Sequence, residues 1–217
     1  GIKTAAICRA FIPNPMHVYR VAGVLSGLGL SYDGATEEGE VVGKIFTDQS
    51  VDLSKISGDI QIVSYLQGYG DTTTDEINAA IQAKPEAFIS VGMATTFFTQ
   101  QLNAAGIEFS DIDSFTQSNG EAITNGKLVY LAGKYSSSVG PAFALVLNAI
   151  NGNVIRDEQG NAVSLSQNYQ VATDEATFDE FYKSDNGDNP IYNKETLDQI
   201  IGESVTFDEI NELVTSK

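Results

Sequence analysis

Short apolar runs alternate with longer amphipathic stretches along most of this chain. Residues 2–8 form an apolar run typical of a buried strand, and residues 16–28 repeat apolar side chains on one helical face. The same two patterns predict further strands at 41–46, 60–65, 87–91, 113–115 and 127–132, and further helices at 73–83, 95–105, 138–151, 175–182, 194–201 and 207–214. Strands that alternate with helices at this spacing favour βαβ units, so the sequence predicts an α/β fold with a largely parallel sheet.

Polar and glycine signals mark where several of these elements begin and end. Thr73 and Glu76 have the spacing of a capping box, and Thr206 stands where it can cap the last helix. Gly106 is placed to close the helix that precedes it. The acidic, glycine-containing stretch at 31–40 shows no periodicity and predicts a solvated loop.

The composition supports a packed core and excludes several kinds of site and partner. Of the 217 residues, 42% are hydrophobic, which is enough for a sizeable domain. The net charge of −17 repels phosphate backbones and anionic membrane surfaces, so nucleic-acid binding is not expected. Cys8 is the only cysteine and His17 the only histidine, which excludes an internal disulfide and a cysteine or histidine metal cluster. No apolar stretch approaches the roughly 20 residues that cross a bilayer.

No arrangement typical of a catalytic site stands out along the chain. A serine triad lacks its Gly-x-Ser-x-Gly turn, and neither paired carboxylates nor a convincing phosphate cradle is found. Gly68-Tyr69-Gly70 follows a predicted strand and precedes a helix, as a dinucleotide-binding loop does, but the third glycine of that fingerprint is missing. A tight turn beside a ligand cleft explains these glycines equally well. The sequence therefore argues against an enzyme, and no cofactor or metal is expected.

Aromatic side chains follow several of the predicted strands. Open α/β sheets bind ligands at the carboxyl ends of their strands, so these rings are candidate ligand contacts. Packing between helix and sheet is the alternative role for each ring. The residues concerned are Phe11, Tyr65, Tyr69, Phe115 and Tyr135.

Residues 111–140, DIDSFTQSNGEAITNGKLVYLAGKYSSSVG, resemble the segment that crosses between lobes in periplasmic sugar-binding proteins of the ribose and galactose type. Gly126-Lys127-Leu128 stands at the Gly-Lys-Leu turn of that family. Lys134 and Gly140 match its hinge-side polar ligand and the start of its next helix. The resemblance covers about residues 2–172, because residues 20–23, 85–90, 102–107 and 147–152 also look like elements of the family.

The resemblance implies a type I periplasmic-binding-protein fold, in which a parallel-sheet, Rossmann-like lobe is joined to part of a second lobe on a separately packed sheet. Residues 1–112 would form the first part of a carboxyl-terminal-type lobe, 113–170 a partial return of the amino-terminal-type lobe, and 171–217 a return to the first lobe with a helical tail. The first strands of the amino-terminal lobe are expected before Gly1. Open sheet edges on the partial lobe favour a homodimer. The expected crossings lie at residues 111–116, 133–136 and 171–174.

The resemblance also implies a function. The family provides the extracytoplasmic solute-binding component of ABC-type transporters, in the periplasm or as a surface lipoprotein, and a membrane permease recognises its closed form. The targeting segment is expected outside this chain. The expected ligand is a small sugar-like or other small polar or aromatic solute held between two lobes. The ligand-facing positions carried over from the family include the loop from Arg9 to Asn14. The candidate ligand contacts are Phe11, Asn14, Arg20, Tyr65, Tyr69, Val91, Thr116, Gln117 and Lys134.

The residues at two positions where the family binds its sugar restrict the class of ligand that we expect. Val91 and Gly92 stand where the family places an asparagine-aspartate pair, and Thr116 stands where it places an aspartate. A buried sugar hydroxyl without a partner costs about 1–3 kcal/mol. An ordinary hexose is therefore disfavoured, and either a less hydroxylated ligand or no ligand is expected.

Two other interpretations stay open on the sequence alone. A sensor domain of the same fold would report a solute to a kinase or chemoreceptor instead of delivering it for transport. A Rossmann-type nucleotide-dependent enzyme would use Gly68-Tyr69-Gly70 to hold a phosphate group.

Overall fold

The computed structural model describes residues 1–134, 136–187 and 190–217. Its strands are β1 (Thr4–Cys8), β2 (Ser31–Tyr32), β3 (Ile56–Ser57), β4 (Gln61–Tyr65), β5 (Ala87–Ser90), β6 (Glu108–Ser114), β7 (Leu128–Lys134) and β8 (Gln170–Ala172). Its α-helices are α1 (Pro15–Gly27), α2 (Glu38–Asp48), α3 (Thr73–Gln82), α4 (Ala94–Ala105), α5 (Gln117–Thr124), α6 (Gly140–Ile150), α7 (Glu175–Asn186), α8 (Lys194–Asp198) and α9 (Phe207–Thr215). Within these ranges no helix is long and apolar enough to cross a membrane.

Six strands form one sheet in the order β4-β1-β5-β6-β7-β8, and β2 and β3 form a separate antiparallel ribbon. β1 lies parallel to both β4 and β5, and β5 lies parallel to β6. Ile7 on β1 pairs with Tyr65 on β4 and with Ile89 on β5. Parallel neighbours need a crossover connection, which the intervening helices supply. The predicted α/β class, with a mainly parallel Rossmann-like sheet, is confirmed.

Helices cover both faces of this sheet because β1 is apolar on both sides. Ala5 and Ile7 pack in one hydrophobic cluster with residues of α1 and α2. Ala6 and Cys8 alternate with them along the strand and are equally buried, so they point to the opposite face. The crossover from β4 to β5 runs back across β1, and right-handed crossovers of opposite direction place their helices on opposite faces. That second face belongs to α3 and α4, which pack against each other.

Cys8 lies fully buried on β1, in keeping with its apolar surroundings in the sequence. Burial and, to a smaller extent, the nearby Asp111 carboxylate raise the pKa of its thiol to about 12. The thiolate is the reactive form of cysteine, so a thiol with so high a pKa is inert. Cys8 therefore serves as a small apolar residue of the core.

The chain divides into two compact units. The first contains residues 1–132 and 172–175, and the second contains residues 133–171 and 176–217. The chain thus passes three times between the units. Residues 111–116, one of the expected crossings, lie inside the first unit, and the boundaries drawn between lobes stay a prediction.

The expectation of two separately packed sheets is wrong. β7 continues the sheet beside β6, because α5 has only eight residues and Gly126 turns the chain back with a left-handed φ of 68°. The Phe109 N–H then donates to the Lys127 carbonyl at 2.9 Å, just ahead of β7.

A buried asparagine anchors the second unit. Ala144 on α6 and Ile210 on α9 belong to its apolar core. Asn148, also on α6, is fully buried: its Nδ2 donates to the Ile200 carbonyl and its Oδ1 accepts the Gly202 N–H, both at 2.9 Å. A buried amide that is satisfied on both sides fixes the loop after α8 against α6.

The predicted strand at 41–46 is wrong, because these residues lie in α2. Val41, Val42 and Ile45 are spaced so that one helical turn brings them to the same face, where they join the core of the first unit. Two acidic residues in the first turn interact favourably with the helix dipole. A short apolar run fits either periodicity, and the acidic start was the signal for a helix.

Several predicted boundaries agree with the structure, and one strand is longer than expected. Gly106 closes α4 in the left-handed conformation with φ 70°. Thr206 caps α9 in a capping box with Glu209. β6 begins at Glu108, ahead of the strand predicted at 113–115.

The capping box predicted for Thr73 and Glu76 is wrong. Thr72 is the N-cap of α3, and Thr73 is its first helical residue. The Glu76 carboxylate accepts a hydrogen bond from the Thr72 hydroxyl at 2.7 Å and another from the Gly68 N–H at 2.8 Å. The Gly68 N–H, in the loop after β4, thus binds the carboxylate of Glu76 on α3.

We predict that Phe88→Ala lowers the free energy of unfolding by about 3–5 kcal/mol, because Phe88 is fully buried on β5 and its loss leaves a cavity. Phe46→Ala on α2 is the matched control. Phe46 is 39% exposed, so its truncation should cost less than about 1 kcal/mol. Urea unfolding of both variants checks the prediction, and equal losses would contradict the layer arrangement described above.

Candidate functional site

The loops that follow β1 and β5 diverge at the carboxyl edge of the sheet. β1 and β5 are neighbours, but the chain leaves β1 through α1 on one face and leaves β5 through α4 on the other. This is the topological switch point of an open α/β sheet, where such sheets form their ligand-binding crevice. A ligand site in this fold is therefore expected in the crevice between β1 and β5.

Arg9 fills the floor of this crevice. It directly follows β1, adopts a left-handed conformation with φ 63°, and is only 4% exposed. Its Nε donates to the Gly92 carbonyl at 3.1 Å, and its Nη1 donates to the Gly68 carbonyl. One side chain thus ties the loop after β1 to the loops after β4 and β5.

The Arg9 guanidinium also stacks on two aromatic rings. Its central carbon lies 3.7 Å from the centroid of Tyr69 and 3.9 Å from that of Phe97. One face of a guanidinium has no room for two rings at this distance, so each ring covers one face. Burial lowers the pKa of Arg9 from its usual value, yet a guanidinium keeps its charge at neutral pH. Each contact is therefore a cation–π interaction.

The outer surface of this stack is an exposed aromatic rim. Tyr69 is 39% exposed and Phe97 48% exposed. The half-buried Phe11 extends the rim, with its ring centroid 4.9 Å from that of Tyr69. Exposed apolar groups that cluster at one place, unlike single exposed rings, often mark a ligand or partner site.

His17 supports the rim from the first turn of α1. Its Nδ1 accepts the Phe11 N–H at 3.1 Å, so the neutral ring carries its proton on Nε2. Burial lowers the pKa of His17; the charge of Arg20 lowers it further, and Asp113 opposes them. A Cβ at Gly92 would lie 3.1 Å from His17 Cε1, so only glycine allows this ring to approach β5 so closely. His17 is thus held neutral as an acceptor for the rim backbone.

Arg20 joins three elements beneath the crevice. Its Nη2 lies 2.5 Å from one oxygen of Asp113 on β6, and its Nη1 lies 3.2 Å from the other. Nη1 also donates to the Val91 carbonyl at 2.8 Å, at the end of β5. The Arg20 side chain is only 9% exposed, and a bidentate pair with a carboxylate fixes the orientation of its guanidinium. The guanidinium of Arg20 therefore positions the strand ends.

Asp111 is a buried carboxylate at the start of α4. It is 3% exposed and accepts the Ala94 N–H at 2.7 Å and the Thr95 N–H at 2.8 Å. Asn119 from α5 donates to the Thr95 hydroxyl at 2.9 Å, which adds a second layer to this network. Asp111 thus caps a helix from the neighbouring strand, which satisfies N–H groups that the helix leaves open.

The Gly68-Tyr69-Gly70 loop serves packing. Gly68 has φ 66°, and a Cβ there would lie 2.8 Å from Phe98 Cζ and 3.0 Å from Arg9 Cδ. Its N–H, which a phosphate would need, already donates to the Glu76 carboxylate. Gly68 therefore leaves room for the side chains of Arg9 and Phe98. The Glu76 carboxylate accepts the hydrogen bond that a phosphate oxygen would accept in a nucleotide-binding loop.

Five of the nine predicted ligand-facing residues gather at the crevice. Phe11 and Tyr69 line the exposed rim, and Arg20 and Val91 meet beneath it. The Tyr65 hydroxyl donates to the Ala10 carbonyl at 2.8 Å, and burial raises the pKa of Tyr65 above its usual value. Arg20, Val91 and Tyr65 thus have structural partners of their own.

The other four predicted residues have contacts of their own. Asn14 caps α1 by accepting the Met16 N–H at 3.1 Å, and Thr116 caps α5 with Asn119. Gln117 is exposed, and its Nε2 donates to Glu121 Oε1 at 3.1 Å. Lys134 belongs to the second unit, where it lines a cavity of about 230 Å³ with Gln167 and Tyr169. Of the other aromatic candidates, Phe115 is buried and Tyr135 lies outside the described residues.

Sequence reasoning missed Phe97 and did not indicate the roles of Arg9 and Asp111 in the site. Arg9 was included in the ligand-facing loop only through the resemblance, and Asp111 was not singled out. Both act on partners far away in the chain, such as Phe97 and Thr95. For Arg9, its place directly after the apolar run at residues 2–8 was the available signal.

Some surface depressions of this chain lack the chemistry of a charged site. One of about 530 Å³ runs beside β3 and β4 between Leu53 and Val63, and its lining contains no ionisable side chain. In residues 1–134, 136–187 and 190–217, no group of three or more His, Cys, Asp or Glu side chains is placed to hold a metal ion. The convergence of rings, cations and carboxylates singles out the crevice.

Fold and site together define an α/β domain with an aromatic-rimmed crevice at the switch point of its sheet. No protein-family model matches this chain. No curated protein matches it. No solved structure matches it either, so what the crevice binds has to be argued from its own geometry.

We predict that the stability of the protein falls as pH drops from 7.5 to 5.5, in part through His17. Its pKa is lowered from 6.5 on folding, so the unfolded state binds the proton more readily, and the free energy of unfolding decreases by at most about 1.4 kcal/mol per pH unit for this proton. His17→Asn keeps an acceptor for the Phe11 N–H without the titration. Urea unfolding at each pH should show a smaller pH slope for the variant, and identical slopes would contradict the lowered pKa.

We predict that Gly68→Ala destabilises the fold more than Gly70→Ala. Both glycines have positive φ, which alone costs about 1 kcal/mol for alanine. At Gly68 the methyl group would also press on Phe98 and Arg9, whereas Gly70 has open space, so Gly68→Ala should cost about 2 kcal/mol more. Urea unfolding of the two variants measures the difference, and a Gly68→Ala protein as stable as Gly70→Ala would remove the packing role of this glycine.

Proposed function

We propose that this chain is the ligand-binding part of an extracytoplasmic solute-binding component of an ABC-type uptake system. It holds a small sugar-like, or other small polar or aromatic, solute in the crevice between β1 and β5. The observation that carries the proposal is the exposed aromatic rim of Tyr69 and Phe97, fixed on Arg9 at the switch point of the sheet. Apolar rings with a few convergent polar groups are the usual lining of small-molecule sites.

Rigid support of the rim favours binding. Tyr69 and Phe97 are both anchored to Arg9, whose own position is fixed by two backbone carbonyls. A ring that already stands in its binding position loses little conformational freedom when the ligand arrives. Stacking on such rings contributes about 0.5–1.5 kcal/mol beyond the area that is buried.

The ionisable groups of the crevice favour binding over catalysis. His17 uses Nδ1 to accept the Phe11 N–H, Arg20 is paired with Asp113, and Asp111 caps α4. A general acid or base needs a free proton-transfer position aimed at the substrate. The nucleotide-dependent enzyme loses support for the same reason, since Glu76 occupies the N–H of Gly68.

The resemblance to type I periplasmic binding proteins extends the proposal to transport. In such a protein a second lobe would close over the occupied crevice, burying the rim that is exposed in this chain, and a permease in the membrane would recognise the closed form. The same crevice serves a sensor equally well, so the proposal takes transport from the resemblance alone.

We predict that Tyr69→Ala and Phe97→Ala each weaken solute binding about tenfold or more, because each removes one stacking surface worth about 1.4 kcal/mol. Tyr19→Ala on α1, where the ring is 52% exposed away from the crevice contacts, is the control and should bind as the parent does. Calorimetric titration with sugars, nucleosides and aromatic amines provides the measurement. A solute that binds both variants as tightly as the parent, or a panel without any binder, would count against the proposal.

A further inference from the structure

Three carboxylates of the chain lie at the positions where α/β domains commonly receive anionic ligand groups. These positions are the amino terminus of the helix after a strand, the backbone N–H groups of a glycine loop, and exposed arginines at the strand ends. In this chain the corresponding carboxylates belong to Asp111, Glu76 and Asp113. Because these carboxylates occupy positions that bind anions in other α/β domains, they restrict the class of ligand that the crevice can bind.

The amino terminus of α4 is closed to an outside anion. Asp111 accepts the N–H groups of Ala94 and Thr95 within 2.8 Å and is almost completely buried. A phosphate at this helix end would have to displace a carboxylate that already interacts with the helix dipole. It would also meet the negative charge of the displaced side chain.

The glycine loop is closed in the same manner. Glu76 accepts the Gly68 N–H at 2.8 Å and the Thr72 hydroxyl at 2.7 Å. The carboxylate lies within the loop that a nucleotide phosphate would have to approach. A phosphate that approached the Gly68 N–H would come close to the negative charge of Glu76. Like charges repel strongly when they are partly removed from water.

The two arginines do not offset these carboxylates. Arg20 is engaged by both oxygens of Asp113, and its side chain is 9% exposed. Arg9 is covered by rings on both faces and bound to two carbonyls at its edge. Both cations thus act inside the protein, and the rings are what the crevice presents to solvent.

We propose that the crevice selects a ring-bearing solute without a phosphate or carboxylate group and discriminates against its anionic counterpart. This inference rests on the proposed function and specifies its ligand class. The ring stacks on Tyr69 or Phe97, and polar groups of the solute pair with neutral donors and acceptors of the rim backbone. The net charge of −17 adds a weaker repulsion of anions at long range.

Matched ligand pairs test the inference on the whole chain. Calorimetry would compare adenosine with adenosine 5′-phosphate, ribose with ribose 5-phosphate, and tyramine with tyrosine. We expect the member without the anionic group to bind about tenfold more tightly or better in any pair that binds. An anionic member that binds equally well or better overturns the inference while the proposed function stands. Absence of binding by every member removes the proposed function, and the inference with it.

Two variants distinguish the local effect of the Glu76 carboxylate at the Gly68 N–H from the long-range effect of the protein's negative charge. Glu76→Gln removes the carboxylate but keeps an oxygen that accepts the Gly68 N–H. Asp75→Asn removes the same charge from the exposed neighbouring position on α3. We expect Glu76→Gln to improve binding of the anionic member about threefold or more, with a smaller gain for Asp75→Asn. Equal gains in the two variants would show that the charge acts only at long range and would overturn the local mechanism.

Discussion

The carboxyl edge of this sheet depends on the guanidinium of Arg9. One side chain binds the carbonyls of Gly68 and Gly92 and stacks on Tyr69 and Phe97, so the loops after three strands share a single anchor. A buried cation is stable only when such contacts compensate for its lost hydration. The left-handed backbone of Arg9 and the glycine at 68 are the conditions that make this packing fit.

At this edge of the sheet the charged groups pair with one another inside the protein. The aromatic rings therefore form the surface that a ligand can reach. Arg20 is matched by Asp113, the dipole of α4 by Asp111, and the loop N–H of Gly68 by Glu76. Each pair also joins two elements of the fold, so the same contacts that hold the strand ends together decide which ligands are excluded. Stability and selectivity therefore rest on the same side chains in this crevice.

Much of the fold could be predicted, and the site only in part. Apolar periodicity placed β1, α1 and α4 within one or two residues, because burial on one or both faces dictates that periodicity. It failed at 41–46, where a short apolar run fits a helix as well as a strand. Among the ligand-facing positions, Asn14 and Thr116 proved to be helix caps, a role that their residue types favour wherever a helix begins.

The sequence by itself determined the α/β class, the order of most elements and the apolar lining of the sheet, since all three follow from local periodicity. Only the tertiary structure decided that β7 continues the same sheet beside β6, that Arg9 lies between Tyr69 and Phe97, and that Asp111 caps α4. These contacts join residues that are distant in the chain. Their geometry exists only once the crossovers have brought the strand ends to a common edge, so no local pattern encodes it.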